Sequence, residues 1–226
     1  MNFDLNKKTL REVNQHLQNF DRKKNTRKFE ISNPQGQHAI FASLKDDIKI
    51  TIKGHTGYYC AGMNQKATVT VHGNVGTGVA ENMMSGKIIV KGNASQSAGA
   101  TGHGGALIIE GDASSRCGIS MKGIDIVVKG SVGHMSAFMA QKGNLVVMGD
   151  ADADLGDSIY EAKIFVKGKV KSLGADCVEK KMDKKNIDEL TKLFKKLNIS
   201  EDPKKFKRYG SSRNLYNFKI DNVGAY

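Results

Sequence analysis

Between residues 50 and 170 apolar positions alternate along the chain, and the alternation itself repeats. Ile50-Thr51-Ile52, Val69-Thr70-Val71, Ile88-Ile89-Val90, Leu107-Ile108-Ile109, Ile126-Val127-Val128, Leu145-Val146-Val147 and Ile164-Phe165-Val166 start 19 residues apart. Two residues after each triplet stands a glycine: Gly54, Gly73, Gly92, Gly111, Gly130, Gly149 and Gly168. Two further on come Thr56, Val75, Ala94, Ala113, Val132, Ala151 and Val170. Alternation marks a strand with one buried face. The intervening column runs from Thr51 and Thr70 to Ile, Val and Phe, so strands of the middle coils are expected to be covered on both faces. The glycine fits a bend that needs positive φ or close backbone approach, and the small residue beyond it restarts the inward face. A 19-residue unit cannot bury its apolar face alone, whereas stacked copies bury a continuous one. The pattern predicts an all-β solenoid, a parallel β-helix of about seven 19-residue coils and, at a strand spacing of about 4.8 Å, roughly 30 Å tall. Helix-rich repeats are too long for this period, and hexapeptide coils of 18 residues do not fit it.

A solenoid exposes unpaired edges at its ends and needs caps. The flanks predict short helices. Thr9 and Glu12 form a capping box followed by Leu10, Val13, Leu17 and Phe20 at helical spacing. Asn186 with Glu189 predicts a second box, followed by Ile187, Leu190, Phe194 and Leu197. Asp202-Pro203 starts a last short helix that Gly210 would stop, and Ser211 to Tyr226 reads as an extended arm carrying Tyr216, Phe218 and Tyr226. The expected organisation is an N-terminal helical cap (1–32), the β-helix (33–178), and a basic helical segment with a C-terminal docking arm (179–226).

Charge sharpens this division. Of the net +12, residues 1–30 contribute +4 and 179–208 contribute +5, while the larger centre, 31–178, contributes only +2. Basic tails on a near-neutral body point to tail-mediated docking to an acidic partner; a nucleic-acid surface would more often be a basic stripe on the folded body. No 18-residue apolar run predicts a membrane span, and Met1 to Phe20 lacks the layout of a signal peptide. Three cysteines in a chain of 226 residues suggest no disulfide framework, so a reducing cytoplasm is expected.

Candidate chemistry is sparse. Cys60 and Cys117 are three coils apart in one column, about 14 Å by strand spacing, too far for a disulfide or a shared metal; Cys177 lies in another column. The expected role is that of small buried hydrophobes. His55, His72, His103 and His134 occupy four coil positions in four coils, without metal-ligand spacing; His103, in Thr101-Gly102-His103-Gly104-Gly105, is the most exposed-looking. Asp150, Asp152 and Asp154 with Glu161 imitate a calcium loop, yet Leu155 stands where that loop needs glycine. With Asp157 they read as an acidic coil edge suited to docking. Gly73-x-x-Gly76-x-Gly78 and Gly99-x-x-Gly102-x-Gly104 have the wrong order for a dinucleotide fingerprint and no helix pattern after them, so they read as turn glycines. Met1-Asn2 offers no N-terminal nucleophile cysteine, three scattered cysteines fall short of an iron–sulfur ligand set, and no βα alternation supports a flavin barrel. No catalytic, cofactor-binding or metal-binding residue is therefore assigned.

The stacked V-x-V-x-G units with glycine-rich turns resemble the GXGXG-repeat domain, the right-handed β-helix of the glutamate synthase large subunit, over about residues 33–178. Asn33-Pro34-Gln35-Gly36-Gln37-His38, the Gly57-Tyr58-Tyr59-Cys60-Ala61-Gly62-Met63-Asn64 coil and Ser212-Arg213-Asn214-Leu215-Tyr216-Asn217-Phe218 resemble its stand-alone form, a subunit of glutamate synthase-like assemblies that include the N-methylglutamate synthase type. The resemblance implies a non-catalytic structural subunit. Its partners would be a class II glutamine amidotransferase subunit and a synthase subunit that holds FMN and iron–sulfur clusters. For such a subunit the acidic strip at Asp150, Asp152, Asp154 and Asp157 and the aromatic arm with Tyr216 and Phe218 are, on physical grounds, the expected docking elements. The same repeat occurs in the C subunit of formylmethanofuran dehydrogenase, so the fold alone does not choose the complex; a basic nucleic-acid-binding module is the third reading.

Overall fold

The computed structural model describes residues 1–20 and 27–213. Nine strands stack in parallel: β1 (Asn2–Asp4), β2 (Lys28–Ser32), β3 (Lys49–Lys53), β4 (Thr68–His72), β5 (Lys87–Val90), β6 (Ala106–Ile109), β7 (Lys122–Val128), β8 (Lys142–Val147) and β9 (Lys163–Val166). The chain is a parallel β-solenoid of about seven turns with two α-helices among the described residues, α1 (Leu10–Gln18) and α2 (Lys184–Leu197). The register is the one the triplets imply: Ile50 faces Val69, which faces Ile88, and so on to Ile164. The small column beyond the glycines forms a second line of parallel bridges from Thr56 to Val170. Both columns line one continuous core.

The glycine column has a physical cause narrower than the two the sequence allowed. Of its members only Gly54 has positive φ; the rest are glycine because of close approach. A Cβ on Gly73 would stand 2.5 Å from the Gly54 carbonyl oxygen, and on Gly92, Gly111, Gly130 and Gly168 it would collide with a side-chain oxygen of the coil below. Those oxygens belong to the residue that follows each glycine. His55 Nδ1 accepts from the Asn74 amide (2.9 Å), Asn74 Oδ1 from Asn93 (2.9 Å) and Asn93 Oδ1 from Asp112 (2.9 Å). Asp112 Oδ1 then accepts from Ser131 (2.7 Å), Ser131 Oγ from Asp150 (3.0 Å) and Asp150 Oδ1 from Lys169 (2.7 Å). Six coil junctions thus share one side-chain-to-backbone ladder, and glycine leaves room for its acceptors.

The glycines do not make most of the bends. Each coil turns through alternate left-handed residues that are mostly not glycine, for example Tyr59, Ala61 and Met63, or Met135, Ala137 and Met139, all with φ between 51° and 58°. This conformation is costly for side-chain-bearing residues. The alternation sends successive amides to opposite neighbours: Tyr59 N–H donates to Thr77 in the next coil and Ala61 N–H to Ile40 in the previous one. The turns are therefore hydrogen-bonded along the axis as the strands are.

The stack begins one coil earlier than the glycine period shows. β2 pairs with β3 through Phe29↔Ile50 and Ile31↔Ile52, a 21-residue coil in which Asn33 (φ 55°) stands where Gly54 stands one coil on. Residues 1–32 thus add two strands to the sheet besides their helix. The predicted Thr9–Glu12 capping box is present. Val13 and Leu17 are buried, and Asn14 and Gln18 hydrogen-bond the turn at Ala39 to Ala42, so α1 satisfies an otherwise open end.

At the other end three expectations are corrected. The N-cap of α2 is Asp183, whose carboxylate accepts from the Asn186 amide and side chain; Asn186 is inside the helix and buried. Gly210 does not stop a helix. After a 3₁₀ turn (Pro203–Lys205) the chain enters β11 (Lys207–Ser211), which pairs antiparallel with β9 and with β10 (Cys177–Lys180). The reversed strand ends the parallel stack and sends Tyr209 into the core, so the arm cannot begin at Ser211. Covering of the outer strand face is borne out for the later coils: Leu190, Leu193, Phe194 and Leu197 of α2 pack on Ile108, Val127, Val146 and Phe165. Each such burial contributes about 1.5–3 kcal/mol.

Candidate docking surfaces

The residues singled out from sequence fall into two groups, those absorbed by inter-coil bonding and those left facing outward. Asp150 belongs to the ladder. Asp152 pairs with Lys171 (2.8 Å), and that hydrogen bond holds its carboxyl below the usual range. Asp154 meets His134 Nε2 (2.9 Å), and its own amide donates to Ser172 Oγ (2.9 Å). Asp157 accepts from Ser158 Oγ (2.7 Å) and from the Ala175 amide (3.2 Å). The acidic edge is thus a single coil whose carboxylates all have partners in the chain. Tyr216, Phe218 and Tyr226 lie outside the described residues.

The cysteines are free and buried. Burial in the apolar core raises the Cys117 thiol to about 12 and the Cys60 thiol to about 11; Cys177 is likewise raised to about 11, chiefly by burial with the Asp157 charge adding. Thiols held protonated in this way are unreactive. Among the described residues no three His, Cys, Asp or Glu side chains come together as a metal site would need, and no helix is long and apolar enough to cross a membrane. Lys91 and Lys129 both bond Glu110 (2.8 and 3.3 Å), chiefly Lys91 holding its carboxyl below the ordinary range, so this outward column is also neutralised coil to coil.

Sequence reasoning missed the edge that leads into the strands. Inter-coil amide bonds align 63, 82, 101, 120, 139 and 158 in one column, and 84, 103, 122, 141 and 160 in the column two residues on. Met63, Met84, Met139 and Tyr160 stand there 48%, 48%, 40% and 43% exposed. His103 is exposed among them. The available signal was a departure: large apolar residues in columns otherwise filled by Asn, Thr, Ser, His, Lys and Gln.

Comparison with known proteins adds two findings. A family model for the GXGXG motif matches residues 2–219. The chain is 57% identical over 224 residues to Protein GlxC of Rhizobium meliloti (strain 1021), covering 99% of this chain and 98% of the relative.

Proposed function

The chain belongs to the GXGXG-motif family, and from that premise we propose that it is a non-catalytic structural subunit of a glutamate synthase-like oxidoreductase, of which the N-methylglutamate synthase type is one form. In this reading it holds a class II glutamine amidotransferase subunit and an FMN/iron–sulfur synthase subunit in fixed register. The cofactors belong to the partners, and the work is done in the cytoplasm. One observation supports the reading above the others: the polar side chains that the repeat brings into line are spent on bonds between coils, from His55 to Lys169 along the ladder. Such a body is stiff along its axis, because each coil is bonded to both neighbours, and a stiff body is what fixed register requires.

Mild affinity isolation of the chain from its own cell, with partners identified by mass and the eluate scanned for visible absorbance, tests this. The expected result is an amidotransferase and a flavin–iron–sulfur protein with matching absorbance. A colourless chain that elutes alone, or one that carries nucleic acid, would contradict it.

A further inference from the structure

We propose that the edge leading into the strands is the face on which a catalytic subunit docks, and that the partner presents an apolar patch edged with carboxylates. The inference deepens the scaffold reading and rests on it.

Three observations carry it. The first is backbone chemistry. Met63 and Met139 sit at φ 54° and 51°, in a column whose other members, at the same φ, are Asn82, Thr101, Ser120 and Ser158. The left-handed region favours small polar residues such as asparagine over long side chains. Met63 and Met139 stand 48% and 40% exposed there, Met63 Sδ accepting from Ser43 Oγ (3.8 Å). Long side chains take this φ elsewhere in the turns, at Phe41, Tyr59, Arg116 and Met135, so what marks Met63 and Met139 is their departure from an otherwise polar column.

The second is shape. Met84 and Tyr160 occupy the neighbouring column, so the four large apolar residues lie along one edge as two adjacent-coil pairs, Met63 with Met84 and Met139 with Tyr160, separated by the coils of Thr101/His103 and Ser120/Lys122. Methionine and tyrosine are enriched at protein interfaces, and the flexible thioether adapts to a partner's surface.

The third is charge. In all four of these coils a lysine follows the apolar residue by three positions: Lys66 after Met63, Lys87 after Met84, Lys142 after Met139 and Lys163 after Tyr160. Lys163 pairs with Glu189 of α2, while Lys66, Lys87 and Lys142 have no ion-pair partner among the described residues. Two apolar pairs on one edge, bordered by lysines of which three lack an ion pair, fit a folded acidic-rimmed protein. They do not fit nucleic acid, for which arginine forks and stacking rings recurring beside the charges would be expected.

The test is isolation from the native cell of the wild-type chain, of the double variant Met84→Asp/Met139→Asp, of Lys66→Glu/Lys142→Glu, and of Lys185→Glu/Lys192→Glu on the exposed face of α2 as control. Aspartate suits the left-handed position of Met139, so the first variant should keep its circular dichroism and melt within about 3 °C of wild type. The expected result is that wild type and control bring down a flavin–iron–sulfur or amidotransferase subunit. The apolar variant would lose it by about tenfold or more; the lysine variant would bind less at low salt, and its remaining binding would fall less with rising salt than that of wild type. A folded Met84→Asp/Met139→Asp chain that retains its partners would overturn the docking face and leave the scaffold reading standing. A wild-type chain that comes down alone would overturn both. Nucleic acid released by the lysine variant, or a homodimer dissolved by the apolar variant, would also overturn the proposal, because the face would then serve another occupant.

Discussion

Two edges of the same coils have opposite characters. Along the glycine edge each polar side chain does what its counterpart did one coil earlier, accepting an amide hydrogen from the coil above, and the residue types vary only within that chemistry: His, Asn, Asn, Asp, Ser, Asp. Along the edge leading into the strands the columns break their own pattern, with Met or Tyr, 40–48% exposed, among Asn, Ser and Gln. In a solenoid, what repeats is bonding between coils; what departs from the repeat faces something outside the chain.

Breaking the repeating edge should have the largest effect on stability. Gly111→Ala places a Cβ on Asn93 Oδ1 with backbone behind it, and should cost about 2–4 kcal/mol in chemical denaturation. Gly36→Ala, where nothing lies within 4 Å but φ is +69°, should cost only the backbone part, about 1–2 kcal/mol. Asn93→Ala removes one acceptor of the ladder and should cost about 0.5–1.5 kcal/mol. Because it also vacates the space a Cβ on Gly111 needs, the double variant Asn93→Ala/Gly111→Ala should be less destabilised than the sum of the two; strict additivity would show that the glycine column is not set by the ladder.

The core gives a prediction with a pH sign. Cys60 and Cys117 ionise near 9 when unfolded and only at about 11 and about 12 when folded. Between those values the unfolded chain has released protons that the folded chain retains, so this contribution to stability is complete below pH 9 and declines as pH rises toward 12. A disulfide reagent at pH 8 should leave both thiols unmodified until denaturant is added; prompt modification in the folded chain would contradict their burial. The smallest stability effect should come from the outward edge, where Met84→Asp/Met139→Asp should change unfolding free energy by no more than about 0.5 kcal/mol while removing partner binding.

The contrast also explains what was legible in the sequence. Ile50 to Val166 could be placed because strand alternation and the glycine collision both demand the same residue class every 19 positions. The coil at β2 was hidden because it is 21 residues long and puts Asn33 in the glycine's place. The ladder was hidden because it conserves an acceptor and not a letter, so His55 and Ser131 look unrelated until their shared hydrogen bond is seen. β11 was misread because Gly210 suggests a helix stop when only the chain before it is considered. Its place is fixed by distant partners, Ile164 across from Tyr209 and Val178 across from Gly210. At the candidate site, Asp150 was noticed for its charge, whereas its geometry makes it a rung; Met63 was noticed only as part of the Gly57–Asn64 resemblance, and Met84 and Met139 were passed over because a lone methionine carries no motif.

Hydrogen exchange of the chain, free and within its isolated complex, compares the two edges most directly. The expected result is new protection in the complex at residues 63–66, 84–87, 139–142 and 160–163, with no change at the ladder positions 55, 74, 93, 112, 131 and 150. Protection gained along the ladder instead, or at neither edge, would contradict the assignment of the outward edge to docking and of the repeating edge to holding the coils together.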